Sequence, residues 1–220
     1  MSVLGLVPMK GHSERVPGKN LRLIAGRPLF HWILSALLAT GNVDEVMVDT
    51  DDDEIAEAVR GSFPEVSVHR RPVELYGDDV PMHAIVAEVA RSTSHDHILQ
   101  THSTNPLLTP ATIDTAVQTY LENGTHDSLM GVTPFQSRFF FKDGRPVNHD
   151  PAVLIKTQDL EPLFEENSNI YIAPVSQIRK TGLRLGSHPL LFAIDPAEAV
   201  DIDVELDFRI AEFLLESRSG

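Results

Sequence analysis

The sequence contains no cysteine, and this absence removes several classes of chemistry. Disulfide bridges, zinc–thiolate centres and a cysteine nucleophile are all excluded. Basic residues are also scarce, with 18 Lys and Arg against 32 Asp and Glu and a formal net charge of −14. Binding to duplex nucleic acid depends on cations that neutralise phosphates, so nucleic acid is not an expected partner. A small anionic substrate would need a local group of basic residues or a metal ion.

Long apolar runs are missing as well. No segment approaches the roughly 20 apolar residues that cross a bilayer, and residues 1–8 lack the basic and apolar regions of a signal peptide. We therefore expect no membrane association and a cytoplasmic location. The 220 residues are enough for one domain with a substantial core.

Strand-like apolar runs alternate with helix-like segments along most of the chain. The predicted strands are 2–7, 44–50, 66–69, 96–101, 127–133 and 170–173, and the predicted helices are 28–39, 53–59, 82–91, 111–121 and 205–215. This alternation is typical of βαβ units. It predicts an α/β fold with a mostly parallel, Rossmann-like sheet flanked by helices, forming a single domain over residues 1–220. Such a sheet binds ligands at the carboxyl ends of its strands.

The alternation stops between residues 134 and 167. Three adjacent phenylalanines, Phe139, Phe140 and Phe141, cannot all face one side of a sheet, and the following Lys-Asp-Gly indicates a hairpin-like excursion. We interpret 134–167 as a small protruding arm. Its apolar residues suggest an oligomer contact, and thus a homodimer.

A cationic loop follows the first predicted strand, within residues 6–23. Lys10, Arg15 and Lys19 lie within ten residues of one another in an otherwise acidic chain, and Gly11 and Ser13 allow a ligand to approach the backbone closely. A triphosphate is the expected ligand at this position of an α/β sheet. Because Asn20 follows Lys19, the loop is not a GxxxxGK[ST] phosphate loop, and no GxGxxG fingerprint supports an NAD enzyme. On composition alone, a solvated charged surface loop remains equally possible.

Two carboxylates precede the final predicted helix. If their segment is extended, Asp201 and Asp203 point to the same side and offer hard oxygen ligands for Mg²⁺ or another divalent cation. The alternative is that Asp203 or Asp207 caps the last helix. A second acidic run, made by Asp49, Asp51, Asp52 and Asp53, favours a helix N-terminus with solvated charges.

The loop resembles the signature of the acylneuraminate cytidylyltransferases, the CMP-sialic acid synthetases. Pro8, Ser13, Pro17, Lys19 and Asn20 match in register. The resemblance continues, in the same order and spacing, at Arg71-Pro72, at Thr104-Asn105-Pro106-Leu107, at Gln158-Asp159-Leu160, at Asn167 with Ile170-Tyr171-Ile172, and at Asp201-Ile202-Asp203. Four positions depart from the family pattern, namely Lys10 for arginine, Glu14 for lysine, His102 for glutamine and Leu108 for arginine.

The resemblance implies a nucleotide-diphospho-sugar transferase fold and a reaction in which CTP activates a sialic-acid-like sugar acid. It implies nucleotide-binding residues Lys10, Gly11, Ser13, Arg15, Lys19, Asn20 and Arg71, and sugar-binding residues His102, Thr104, Asn105, Gln158 and Tyr171. Asp201 and Asp203 would hold Mg²⁺, with Lys19 and Asp203 as catalytic residues. A homodimer whose second copy completes the sugar site is also implied.

Two alternatives stay open. The departures at Lys10, His102 and Leu108 allow another nucleotide or another nonulosonic or ulosonic acid with the same chemistry. The chain could also be a catalytically silent nucleotide-binding protein, although the intact Asp201 and Asp203 argue against this.

Overall fold

The computed structural model describes residues 1–218. In this part of the chain the strands are β1 (Val3–Met9), β2 (Leu23–Ile24), β3 (Arg27–Pro28), β4 (Glu45–Thr50), β5 (Ser67–Arg70), β6 (His97–Gln100), β7 (Ser128–Phe135), β8 (Leu163–Pro174) and β9 (Pro189–Ala193). The helices are α1 (Leu29–Leu38), α2 (Asp53–Ser62), α3 (Met82–Ser92), α4 (Pro110–Glu122), α5 (Val175–Thr181) and α6 (Glu205–Arg218). Short 3₁₀ turns occur at Val73–Leu75 and Thr157–Asp159.

Seven strands form one sheet in the order β5-β4-β1-β6-β8-β7-β9, and β2 and β3 form a separate small hairpin. The first four strands of this order pair in parallel, and β9 is parallel to β7. Only β8 runs against its neighbours within the described sheet. The predicted fold class, an α/β protein with a mostly parallel sheet, is therefore confirmed.

The core lies on both faces of the sheet. Every residue of β1 is buried, because this strand lies between β4 and β6 and helices cover both of its faces. One face packs against α1, α2 and α4, and the other against α3 and α5. A third apolar cluster joins the loop after β1 to α6 through Val16, Ile24, Ile202 and Phe208. The two ends of the described chain therefore share one core.

Several predicted boundaries need correction. Strand β7 extends to Phe135 and β8 begins at Leu163, because the two strands stay paired down to this last pair of residues. The excursion is thus confined to residues 136–162, and its hairpin turns at Gly144, whose φ is +85°. The sequence missed α5, which has seven residues, and β9, a five-residue edge strand that begins with proline. Among residues 1–218, no helix is both long and apolar enough to cross a membrane.

A buried ion pair fixes the edge of the sheet where the loop begins. Asp49 and Arg71 are 1% and 2% exposed, and Nε of Arg71 donates to Oδ1 of Asp49 at 2.6 Å. Arg71 also donates to Asp51 and to the carbonyl of Met9, both at 3.3 Å. The prediction that the acidic run is solvated is therefore wrong for Asp49, because Arg71 supplies a buried countercharge. Asp52 does cap α2, by accepting from the Ile55 N–H.

Removing this guanidinium should destabilise the fold. Arg71→Met removes the guanidinium from the buried Asp49 carboxylate, which keeps a contact with Nδ1 of His69 at 2.8 Å. We expect the free energy of unfolding to fall by about 3–5 kcal/mol. The matched control is Arg70→Met, because the neighbouring arginine pairs with Asp53 at an exposed position and should contribute less than about 1 kcal/mol. Urea unfolding followed by circular dichroism measures both variants. Equal effects in the two variants would contradict the role given to Arg71.

Candidate functional site

The cationic loop lies at the carboxyl end of β1, between that strand and β2. This edge of a parallel sheet is where ligands bind. The loop turns at Gly18, where φ is +63° and glycine is favoured. The N–H groups of Leu21 and Arg22 both donate to the Gly18 carbonyl at 3.1 Å. The turn brings Lys19 back toward the start of the loop.

A cleft of about 310 Å³ opens beside this loop. Its walls are the loop itself, residues 102–104 after β6, Asp78 from the segment before α3, and Met82, the first residue of α3. The structure brings to this one cleft seven residues that the sequence singled out, namely Lys10, Ser13, Arg15, Lys19, Asn20, His102 and Thr104.

Lys19 joins the loop to the segment before α6. Its Nζ donates to the carbonyl oxygen of Ile202 at 2.8 Å. Burial lowers the pKa of the Lys19 ammonium, and the carboxylates of Asp201 and Asp203 oppose this shift. A cation from near the start of the chain and two carboxylates from near its end therefore act on one another.

The carboxylates of Asp201 and Asp203 lie close enough together to act on one another. The side chain of Ile202 between them is fully buried in the core, and both carboxylates interact with Lys19. Burial raises the pKa of Asp201, a hydrogen bond from Thr104 opposes this, and the nearby Asp203 raises it further. Asp203 contacts Arg15 at 2.8 Å.

The capping function falls to Asp207. Its Oδ2 accepts from the backbone N–H groups of Asp203 at 3.0 Å and Val204 at 2.8 Å. The side chains of Asp201 and Asp203 are therefore not the caps of α6. Oδ1 of Asp201 is buried and has no hydrogen-bond partner in the described part of the chain.

This donor set fits a divalent cation that also binds substrate oxygens. Two carboxylates are present, but residues 1–218 contain no group of three or more His, Cys, Asp or Glu placed to hold a metal ion. Mg²⁺ commonly binds through one or two carboxylates together with substrate phosphates. The arrangement of Asp201 and Asp203 therefore matches that mode, and does not match a site built from protein ligands alone.

Two other loop residues at the cleft contact a carboxylate that the sequence did not single out, that of Asp78. Nζ of Lys10 lies 3.4 Å from Asp78, and Nδ1 of His12 lies 3.7 Å from the same residue. The Lys10 and Asp78 side chains are 29% and 58% exposed, so an anion entering the cleft can displace this contact.

Three predicted nucleotide-binding residues have their polar groups engaged within the protein. Nδ2 of Asn20 donates to the Lys10 carbonyl at 2.8 Å, and its Oδ1 accepts from Ser103 at 2.6 Å. The N–H of Gly11 donates to Asp51 at 2.9 Å, and a Cβ at this position would lie 2.3 Å from Oδ2 of Asp52. Arg71 lies in the interior beneath the loop. These residues shape the loop from within.

Residues 102–104 form another wall of the cleft, and Asn105 follows them. Burial lowers the pKa of His102 to about 3, and Arg184 and Lys19 add to this effect. The Thr104 carbonyl accepts from the Ile202 N–H at 3.0 Å. Asn105 is fully buried, and neither Nδ2 nor Oδ1 of its side chain has a hydrogen-bond partner among residues 1–218.

Tyr171 and Gln158 do not line the cleft. Tyr171 is buried in β8, and its hydroxyl donates to Glu166; burial and this contact raise its pKa to about 12. Gln158 is exposed on the arm, where its carbonyl accepts from Gln136 at 2.7 Å. A single copy of the chain therefore does not bring Gln158 to the cleft.

The sequence missed three residues at the site. Asp78 lines the cleft, and Gln100 and Arg184 are connected to His102 by hydrogen bonds. Gln100 could have been found, because it is the penultimate residue of the predicted strand 96–101, at the edge of the sheet where ligands bind. Arg184 belongs to no motif, and it meets Gln100 from 84 positions further along the chain.

Several known proteins are similar to this chain in sequence. The chain is 29% identical over 218 residues to N-acylneuraminate cytidylyltransferase A of Danio rerio, a match that covers 96% of this chain and 50% of the fish protein. It is 30% identical over 234 residues to CMP-N,N'-diacetyllegionaminic acid synthase of Legionella pneumophila, covering 98% and 97% of the two chains. The chain thus spans about half the length of the fish relative and nearly all of the bacterial one.

Solved structures agree on the fold. A structure of CMP:2-keto-3-deoxy-manno-octonic acid synthetase complexed with CTP superposes with a TM-score of 0.71 and 15% identity. The superposition covers 99% of this chain and 100% of that one. The family model described as cytidylyltransferase matches residues 4–216. The chain therefore belongs to the cytidylyltransferase family.

Proposed function

We propose that this chain is a Mg²⁺-dependent cytidylyltransferase that joins CTP to a sialic-acid-like sugar acid and releases pyrophosphate. The observation that carries the proposal is that a cationic loop and a carboxylate pair, distant in sequence, meet beside one cleft. Arg15 contacts Asp203 across 188 positions, and Lys19 contacts the Ile202 carbonyl across 183, both at 2.8 Å. The names of the similar proteins support the sugar-acid class and the nucleotide.

The loop would hold the triphosphate. Lys10, Ser13, Arg15 and Lys19 line the cleft and would bind phosphate oxygens. Gly11, Asn20 and Arg71 would support nucleotide binding indirectly, by fixing the loop. Lysine at position 10 gives the phosphate a point charge and lacks the bidentate fork of arginine.

In the proposed reaction, the anomeric hydroxyl of the sugar acid attacks the α-phosphorus of CTP. A bond forms between the sugar oxygen and the α-phosphorus, the bond from that phosphorus to the bridging oxygen breaks, and pyrophosphate leaves with that oxygen. Asp203 accepts the hydroxyl proton, and Lys19 stabilises the charge that develops on the phosphates. Asp201 and Asp203 would hold Mg²⁺, which supplies further charge neutralisation when bound.

The sugar acid would lie against residues 102–104. His102 and Thr104 line this side of the cleft. Asn105 and Tyr171 would act from behind this wall, since both are buried. Gln158 would reach a sugar only from the arm of a second copy, which is one reason to propose a homodimer. The proposal includes a cytoplasmic location, because nucleoside triphosphates are cytoplasmic substrates.

The departures at Lys10, His102 and Leu108 favour testing the substrates broadly. Pyrophosphate release measured with four nucleoside triphosphates and several nonulosonic and ulosonic acids identifies the base and the acid. Turnover with CTP and one such acid supports the proposal. Thermal stabilisation by CTP without turnover on any acid would indicate a silent nucleotide-binding protein instead.

Replacing Asp203, the proposed proton acceptor, should strongly reduce turnover while the protein stays folded. We expect Asp203→Asn to lower kcat by about 10²–10⁴-fold, because it removes both a proton acceptor and a cation ligand. Asp207→Asn is the matched control from the same turn, since an amide oxygen can still accept from the Asp203 and Val204 N–H groups. Full turnover of Asp203→Asn with CTP and Mg²⁺ would refute the assignment.

The burial of Lys19 predicts a pH dependence with a definite sign. An ammonium loses its charge as pH rises through its pKa, and burial lowers this pKa below its usual value. The KM for CTP should therefore rise at a lower alkaline pH than an ordinary lysine would give. Lys19→Arg should move this rise upward by about one pH unit or more, since arginine stays charged.

Steady-state kinetics between neutral and alkaline pH measure this effect. Lys180→Arg is the matched control, because Lys180 is exposed on α5 and does not line the cleft. Coincident pH profiles for wild type and Lys19→Arg would show that another group sets the alkaline limit.

The arm carries apolar surface suited to a second copy. Phe140 and Phe141 are exposed to 56% and 50%, and Val153 and Leu154 to 54% and 97%. Apolar residues gathered in this way mark interaction sites. The arm contains a short hairpin, in which the Phe141 N–H donates to the Arg145 carbonyl.

A charged residue on the apolar surface of the arm should therefore prevent the proposed homodimer from forming. We expect wild type to have twice the 24.3 kDa mass of one chain, and Leu154→Asp to be a monomer with reduced sugar-acid affinity. Light scattering coupled to size-exclusion chromatography measures the mass. Val73→Asp is the control, because Val73 is 73% exposed and lies outside the arm. A monomeric wild type, or a dimeric Leu154→Asp, would contradict the proposal.

A further inference from the structure

A chain of hydrogen bonds runs from Arg184 to the wall of the cleft. We infer that Arg184 is a positioning residue that orients the Gln100 amide and thereby holds the His102 imidazole neutral, with its proton on Nδ1. The wall formed by residues 102–104 then offers a neutral N–H donor. This goes beyond the sequence-based prediction, which named His102 as a contact without a protonation state and did not include Arg184.

The order of donors and acceptors follows from the guanidinium. Nη1 of Arg184 lies 2.8 Å from Oε1 of Gln100. A guanidinium has only donors, so the carbonyl end of the amide must face Arg184. The NH₂ end of Gln100 then faces Nε2 of His102 at 2.7 Å. Since this NH₂ group can only donate, Nε2 must accept, and a neutral ring carries its proton on Nδ1.

The surroundings also disfavour a protonated ring. The charged groups that act on His102 are Arg184 and Lys19, both cationic, and burial acts in the same direction on its pKa. A proton on Nε2 would also place two N–H donors against each other. His102 is therefore neither a general acid nor a cation near neutral pH.

Arg184 is itself fixed by β8. Its guanidinium lies 3.6 Å above the ring of Tyr171, and Nη2 lies 3.5 Å from Glu166. The Tyr171 hydroxyl donates to the same carboxylate. Tyr171, predicted as a sugar contact, thus acts by holding Arg184 in place.

Nδ1 of His102 is available to a ligand. His102 lines the cleft, and its Nδ1 makes no hydrogen bond with residues 1–218. Resting on the proposed function, we assign its partner as an acceptor oxygen of the sugar acid. Glutamine, the usual residue here in the resembled family, also ends in an N–H donor, so the fixed tautomer lets histidine offer the same type of group.

The tautomer can be measured without any substrate. In ¹⁵N-histidine-labelled protein at pH 7, we expect the Nδ1 of His102 to resonate as a protonated nitrogen and Nε2 as an unprotonated one, with no titration between pH 5 and 8. The His102→Gln variant assigns the signals by their loss. A proton on Nε2, or a charged ring at pH 7, would overturn the inference whether or not the chain turns over CTP.

Gln100→Glu provides the sharpest perturbation. A carboxylate accepts from both Arg184 and His102, so the imidazole proton should move to Nε2, or the ring should become charged. Gln118→Glu, exposed on α4, is the matched control and should leave the His102 signals unchanged. Unchanged signals in folded Gln100→Glu would overturn the inference.

Arg184→Met tests the chain of hydrogen bonds independently, and it provides the test if Gln100→Glu does not fold. Without the guanidinium, the Gln100 side-chain amide can rotate by 180°, and the His102 signals should report a mixture of tautomers.

Enzyme kinetics give a second measurement. Gln100→Glu and Arg184→Met should each raise the KM for the sugar acid about tenfold and leave the KM for CTP within about twofold. Equal changes in both KM values would show a general structural effect and contradict the positioning role.

Discussion

The buried guanidinium of Arg71 is the interaction on which the geometry of the cleft depends. It joins the carboxylates of Asp49 and Asp51 to the carbonyl of Met9, and so ties the ends of β4 and β1 to the segment after β5. Asp51 in turn accepts from the Gly11 N–H, the second residue of the loop. Because separating a buried pair leaves an uncompensated charge, these contacts give the loop a fixed starting point. Arg15 and Lys19, the cations further along the loop, can then be held beside one cleft.

The other end of the loop is fixed by the segment before α6. The Ile202 side chain packs in the same apolar cluster as Val16 of the loop, while its carbonyl accepts from Lys19. One residue therefore serves both packing and polar contact, and it sets the positions of Asp201 and Asp203 on either side. The carboxylate pair cannot move away from the loop without exposing this core. Two sequence motifs almost two hundred residues apart become one site for this reason.

Local patterns predicted much of this arrangement, and long-range contacts account for what they missed. Apart from the short hairpin of β2 and β3, the order of strands and helices as far as β7 followed from periodicity. The loop and the carboxylate pair followed from residue types at strand and helix ends. The burial of Asp49 did not, because it depends on Arg71, 22 positions away. Strand β9 and helix α5 are short, and periodicity has little to detect in them. Arg184 could not be predicted, since its importance lies entirely in contacts with residues of β6 and β8.

The acidic composition and the cationic cleft are consistent with one another. Each cation of the loop faces a carboxylate, with Lys10 near Asp78, Arg15 on Asp203, and Lys19 near Asp201 and Asp203. The two ion pairs are partly exposed, so each contributes little stability and is displaced at small cost. A triphosphate can therefore replace carboxylate oxygens with phosphate oxygens while the buried pair beneath the loop stays intact. A few cations held in place by acidic neighbours suffice for a nucleotide, whereas a nucleic acid would require a long basic surface that a chain with a net charge of −14 does not provide.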